Sequence, residues 1–293
     1  MITCQLKGGL GNQLFQIFAT IACAIENHHT FRFLNVETLG AGTTTIRPTY
    51  WTSILSNLRI FLMNELPITS LQLVKEPQFS YTPIVLPPSS TSNDNIMLCG
   101  YYQSDKYFKP HYSTICRLLS LSKKREKWLI SVGKTMDDFQ NTIGLHFRIG
   151  DYKQLTQCYP LAPVEYYMDA LRSLLYNIKN NLNNPDVLIP IYYFCEDADV
   201  EEVNAHITQL SMTFPEAVFI RGSGTDWEQL LWLSCCNHTI IANSTFSWWA
   251  AYFNPWDNKR VYYPSQWFGP AMNHCTTHDL FPADWIKISI YKI

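Results

Sequence analysis

The chain lacks an excess of either charge. Lysine and arginine total 22 against 24 aspartate and glutamate, a net charge of −2, so no long-range field draws it to nucleic acid or to an anionic membrane. Charged residues are scarce altogether at 16%, while hydrophobic residues reach 47%; that balance excludes a disordered chain and supplies a sizeable core. Long apolar runs are missing too. The longest, near Ile17 to Ile25, falls well short of the roughly 20 residues that cross a bilayer. With neither a basic N-terminal region nor a cleavage-type site, a soluble, cytosolic protein is expected. The nine cysteines are scattered and form no CxxC pair, which favours free thiols in a reducing compartment over a disulfide framework.

Several familiar signatures are absent as well. No GxxxxGK[ST] occurs, which excludes a P-loop. "GGLGN" lacks the third glycine of GxGxxG, and no acidic residue ends the second strand in the right context, although Glu37 is close. There is no GxSxG nucleophile elbow. His274 and His278 in "HCTTH" have the spacing of a zinc pair on a helix, but no HExxH glutamate or third clustered ligand accompanies them. No metal is expected.

What remains is a chain of 293 residues, long enough for one large domain or two ordinary ones. "KGGLGNQLFQ" at 7–16 follows an apolar start and reads as a first strand-to-helix turn. Residues 12–26 put Leu14, Phe18, Ile21 and Ile25 on one helical stripe, and Phe31 to Val36 reads as the next strand. From about 40 to 95 the prolines and the polar stretch Ser89 to Asn95 indicate irregular connections. A strand returns at 96–99, followed by the aromatic run "GYYQSDKYF". "KKREK" at 123–127 reads as a solvated helix face, and a junction is expected near 125–140. The division that follows is 1–135 and 136–293.

The second half alternates cleanly. Strands near 143–147, 188–195, 217–221, 238–242 and 260–263 are separated by helices at 164–179, 199–210, 227–235 and 245–253. Strands and helices of this length call for a parallel sheet covered on both faces, with ligands bound beyond the strands' carboxyl ends. The loops leaving those ends are "HFRIGDY", "CEDAD", "RGSGTD" and "ANSTFS". Arg148 closes the first strand, and a guanidinium there suits either a phosphate or an ion pair with Asp151. Asn243, Ser244, Thr245, Phe246 and Ser247 bring hydroxyls and free N–H groups to a helix start, either an anion site or plain N-capping by Ser244 or Thr245. Together the two loops suit a diphosphate. Glu196, Asp197 and Asp226 are each able to meet a ribose or base, or to cap a helix; for Asp226 the cap is favoured.

These segments resemble the α-1,2-fucosyltransferases of glycosyltransferase family 11. The matching stretches are "GGLGNQLFQ" at 8–16, "GYYQSDKYF" at 100–108, "HFRIGDY" at 146–152, "YYFCED" at 192–197, "NHTIIANSTFSWWAAY" at 237–252 and "PADWIKI" at 282–288. They fall in the family's order and span nearly the whole chain. The resemblance implies a GT-B α/β architecture, two Rossmann-like domains facing across a cleft, with the nucleotide sugar on the C-terminal side and the acceptor on the N-terminal side. It implies an inverting transfer of L-fucose from GDP-β-L-fucose to O2 of a terminal galactose on a glycan. No metal or other cofactor is called for. Arg148 would grip the β-phosphate, helped by Ser244, Thr245 and Ser247 with Phe246 beside them, and His146 would lie close to the nucleotide. Asp151 is either the general base or the brace of Arg148. Gly11, Asn12 and Gln13 would face the acceptor, with Asn12 orienting it. Two positions depart from the pattern: Ile149 stands where the family has a second arginine, and Gln229 where it has an aspartate expected to read guanine, with Glu228 one residue earlier. The alternatives are a transferase for another nucleotide 6-deoxy sugar and an inert glycan-binding protein.

Overall fold

A computed structural model describes residues 1–40, 46–67, 71–88, 95–182 and 187–290. Of the polar connection expected over 89–95, residues 89–94 lie outside the described residues. The chain forms two compact units: Met1–Lys127 with Cys275–Pro282, and Trp128–His274 with Ala283–Ile293.

In the first unit, β1 (Ile2–Cys4) leads into α1 (Leu10–Glu26). From Leu10 to Ala24 every residue of α1 except Asn12 is buried, which is why its sequence is apolar on nearly all sides rather than striped. The second strand contracts to β2 (Phe33–Leu34), and Phe31 makes only an isolated bridge to Ile2. Short β3 (Thr38–Leu39), β4 (Arg47–Pro48) and β5 (Leu62–Met63) follow. The region read as irregular holds one substantial strand, β6 (Leu71–Lys75), which joins β7 (Asn95–Cys99) in a parallel sheet of order β1-β7-β6. Two helices, α2 (Tyr112–Leu118) and α3 (Leu121–Ser131), close the segment. The "KKREK" face is only partly solvated, because Arg125 turns inward and is buried.

Glu76 ends β6. Its carboxylate accepts the N–H groups of Tyr101 at 2.7 Å and Tyr102 at 2.9 Å, fixing the turn after β7. Burial outweighs those two bonds and pushes its carboxyl from 4.5 up to about 7. A carboxyl raised in the folded state contributes stability that is fully present below about 4.5 and is lost as pH rises through about 7. Glutamine at this position does not titrate. Urea unfolding of wild type and Glu76→Gln across this range is therefore expected to give a stability difference that changes between the two values and is level above them. A difference independent of pH would contradict the assignment.

The second unit is built on β8 (Ile143–His146), α4 (Val164–Leu182), β9 (Ile189–Phe194), α5 (Val200–Thr213) and β10 (Ala217–Arg221). It continues with α6 (Asp226–Cys235), β11 (His238–Ile240), α7 (Thr245–Phe253), β12 (Val261–Pro264) and β13 (Ile286–Ile288). The six strands form one parallel sheet of order β10-β9-β8-β11-β12-β13. Ile143, Leu145 and Phe147 pack with Tyr166, Leu171 and Leu174 of α4 and with Val203 and Leu210 of α5 in one core. Tyr192, Phe194 and Trp128 surround Trp232 of α6. The runs are apolar without strict alternation because helices cover both faces. All nine cysteines are free, Cys235 and Cys236 included.

Candidate functional site

The chain builds β8, β9 and β10 outward in one direction, then returns to lay β11 on the other side of β8. The strand order therefore reverses between β8 and β11. In a doubly wound sheet, the crevice beyond the carboxyl ends at that reversal is where ligands bind. Two of the loops singled out in the sequence leave those two strands.

Arg148 follows β8. Its guanidinium pairs with both Asp151 and Glu196 and lies over the ring of Tyr152, 4.8 Å from the centroid. The Tyr152 hydroxyl donates to the carbonyl of Asn243 at 3.2 Å, tying the loop after β8 to the loop after β11. Burial pushes that phenol up to about 12, with Arg148 opposing, so it stays a neutral donor. Tyr152 was not singled out in the sequence; its place four residues beyond the arginine was the available signal.

Across the reversal, Asn243 is buried, and its amide donates to the carbonyls of Pro160 at 2.8 Å and Trp267 at 3.2 Å. Ser244 occupies the N-cap of α7 in extended conformation, yet its side chain makes no cap bond. Thr245 and Phe246 open the helix, half-buried. Ser247 departs from expectation. It is fully buried, and its hydroxyl bonds back to the carbonyls of Ser244 at 3.2 Å and Ala242 at 3.4 Å. Its role is to tighten the turn from inside. His146 packs its ring 5.2 Å from that of Phe246. Burial, reinforced by Arg148, pushes it down to about 3, so the imidazole is neutral. Its Nδ1 and the Asn243 Oδ1 are both buried with no hydrogen-bond partner among the described residues, groups that a bound polar molecule would satisfy.

The remaining loops separate by function. Asp197 pairs with Arg221 at the end of β10. Thr225, not Asp226, caps α6: Glu228 accepts the Thr225 N–H at 2.9 Å and its hydroxyl at 2.5 Å in a capping box. Asp226 sits in the first turn, accepting the Trp227 N–H at 2.8 Å. Gln229 donates to the Gly224 carbonyl at 2.7 Å. Both side chains weighed as guanine readers are thus engaged by their own loop. His274 and His278 lie in turns rather than on a helix. Among the described residues no group of three or more His, Cys, Asp or Glu is placed to hold a metal ion.

In the first unit, the glycine turn is braced from within. Gln16 accepts the Lys7 N–H at 2.8 Å and donates to the Lys7 carbonyl at 3.1 Å. Gln13 is fully buried and donates to the carbonyls of Gly8 at 3.0 Å and Pro48 at 2.8 Å, so it supports the turn rather than reaching outward as expected. Gly11 is buried in the first turn of α1. Asn12 is half-buried and accepts from Gln103 at 3.0 Å. Gly8 has a φ of +76°, and a Cβ there would stand 2.4 Å from the Asn12 amide nitrogen; glycine is required both for the backbone and for the space.

A doubly wound α/β unit with a polar crevice at its strand reversal defines the class. Comparison with known proteins defines the family. The model of glycosyl transferase family 11 matches residues 90–289, and the chain belongs to that family. Over 98% of its length it is 23% identical to an alpha-1,2-colitosyltransferase of Escherichia coli, covering 99% of that protein. It is 28% identical to the O-antigen biosynthesis glycosyltransferase WbnK of Escherichia coli over 53% of this chain and 47% of that one. Among solved structures, an Arabidopsis thaliana FUT1 mutant in complex with GDP has the same fold, with a TM-score of 0.50 and 11% identity over 96% of this chain and 74% of that one. No helix among the described residues is long and apolar enough to cross a membrane.

Proposed function

We propose that the chain is an inverting α-1,2-fucosyltransferase that moves L-fucose from GDP-β-L-fucose to a hydroxyl of a glycan, O2 of a terminal galactose, without a metal. The carrying observation is Arg148 and the start of α7 on adjacent strands at the reversal of the sheet. The departing diphosphate gathers most of the charge in an oxocarbenium-like transition state. A fixed guanidinium and the N–H groups of a helix start are suited to stabilise it. His146 and Asn243, each with an unpartnered buried atom, supply neutral polar groups to the same ligand. The diphosphate displaces one carboxylate from Arg148. Glu196, on a different loop, is the one exchanged, and Asp151, three residues along, stays as the brace. The 1–135 part then carries the acceptor side, with Asn12 as its polar group, and the 136–293 part the donor side.

A second donor remains a specific alternative. The relative matched over 98% of the chain is named for colitose, and Gln229 is engaged by Gly224. Turnover of GDP-fucose, GDP-colitose and UDP-galactose, read as nucleotide release, separates these readings. GDP-fucose is expected to be the best donor. Turnover of GDP-colitose or UDP-galactose without GDP-fucose would overturn the donor assignment.

A further inference from the structure

Three acidic side chains leave β9 in "CEDAD", and the third has a different environment from the others. Asp199 is 3% exposed, whereas the Asp197 side chain is 97% exposed and that of Glu196 52%. Asp199 occupies the N-cap of α5, yet its side chain makes no bond to that helix. Aspartate at an N-cap ordinarily accepts its own helix's N–H groups, so this carboxylate has been drawn elsewhere. Oδ2 accepts the backbone N–H of Gly150 at 2.7 Å, and Oδ1 lies 3.7 Å from the Lys153 ammonium. Lys153 is in turn held by Glu202 at 2.5 Å. Gly150 is the second residue after Arg148, with a φ of +30°, and a Cβ there would stand 2.7 Å from Glu196 Oε2 and 3.1 Å from an Arg148 Nη. The turn that aims the guanidinium is thus pinned at its midpoint by a buried charge from the neighbouring loop.

We propose that Asp199 is a positioning residue for donor binding, fixing the Gly150 turn and through it the Arg148 guanidinium. The inference rests on the reading of the β8–β11 crevice as the diphosphate site. A charge-assisted bond to a backbone N–H suits this task because it sets the turn without occupying the crevice. A group that must meet a ligand in one geometry loses much of its effect when displaced by about 1 Å.

Asp199→Ser removes the carboxylate and is too short to span to Gly150, while α5 loses no cap bond, because the Asp199 side chain makes none to that helix; thermal unfolding of the variant checks that the fold is retained. Asp199→Asn keeps a carbonyl oxygen for the Gly150 N–H. Calorimetry on the full chain uses two probes, GDP and inorganic pyrophosphate. Asp199→Ser is expected to weaken both by at least about 10-fold, and Asp199→Asn to restore most of the loss. On an Arg148→Ala background, Asp199→Ser should cost nothing further, because two residues acting through one contact are not additive. Wild-type binding by Asp199→Ser, or a loss that persists undiminished without Arg148, would overturn the proposal. Pyrophosphate binding without GDP binding would refute the guanosine donor and leave the Asp199 result readable. Binding of neither probe by wild type would overturn both.

Discussion

Arg148→Ala is expected to lower transfer from GDP-fucose on the order of 10²–10³-fold with little change in melting temperature. The two halves of that expectation have separate physical grounds. The loss of rate follows if Arg148 is, as proposed, the fixed cation that meets the leaving diphosphate, where charge develops in the transition state. The retained stability follows from what remains behind. Asp151 and Glu196 have side chains 46% and 52% exposed, so neither becomes a buried unpaired charge. The Arg148 side chain itself is 14% exposed, but with both partners solvated the two pairs contribute little to folding. Arg148→Lys is the control: it keeps the charge but loses the planar fork and the stacking on Tyr152, and an intermediate rate is expected. Initial rates and thermal unfolding of the three proteins check this. Wild-type turnover by Arg148→Ala would remove its assigned role.

Trp248→Ala is expected to have the largest effect on stability, about 3–5 kcal/mol. Trp248 is fully buried in the first half of α7, stacked on Tyr252 at 4.7 Å and packed against Trp249 at 5.2 Å and Trp285 at 5.4 Å. Such a cavity is a large share of a total stability of about 5–15 kcal/mol. Because Ser244 makes no cap bond, the start of α7 is held by this packing and by the internal bonds of Ser247. Loss of the indole is therefore expected to weaken GDP binding along with folding, whereas Trp248→Phe should retain much of both. Urea unfolding and GDP titration give the measurement. Stability within about 1 kcal/mol of wild type, the scale of an ordinary surface change, would contradict it.

The second unit is legible because its strands and helices alternate with clear periods, and the rule about carboxyl ends singles out the loops that follow β8 and β11. The strand order itself was not visible, and it is the order that brings the loops of β8 and β11 together. In the first unit, β6 was hidden between Pro67 and Pro77, whose local signal is that of a connection. The burial of Gln13 is not visible locally, because one of its partners, the Pro48 carbonyl, lies 35 residues away. The inward bonds of Ser247 are not visible in the sequence either, because a hydroxyl at a helix start looks the same whether it faces a ligand or its own backbone. The acidic residues of "CEDAD" are alike in sequence. In the fold one holds Arg148, one Arg221 and one the Gly150 N–H. Long-range partners made those distinctions.

The proposed reaction requires inversion at the anomeric carbon of a GDP-linked fucose. Proton NMR of the first-formed product reads it directly, with lactose as acceptor or with water alone, before mutarotation. GDP release with the α-anomer formed first is expected. The β-anomer formed first, or no GDP release from GDP-β-L-fucose, would contradict it.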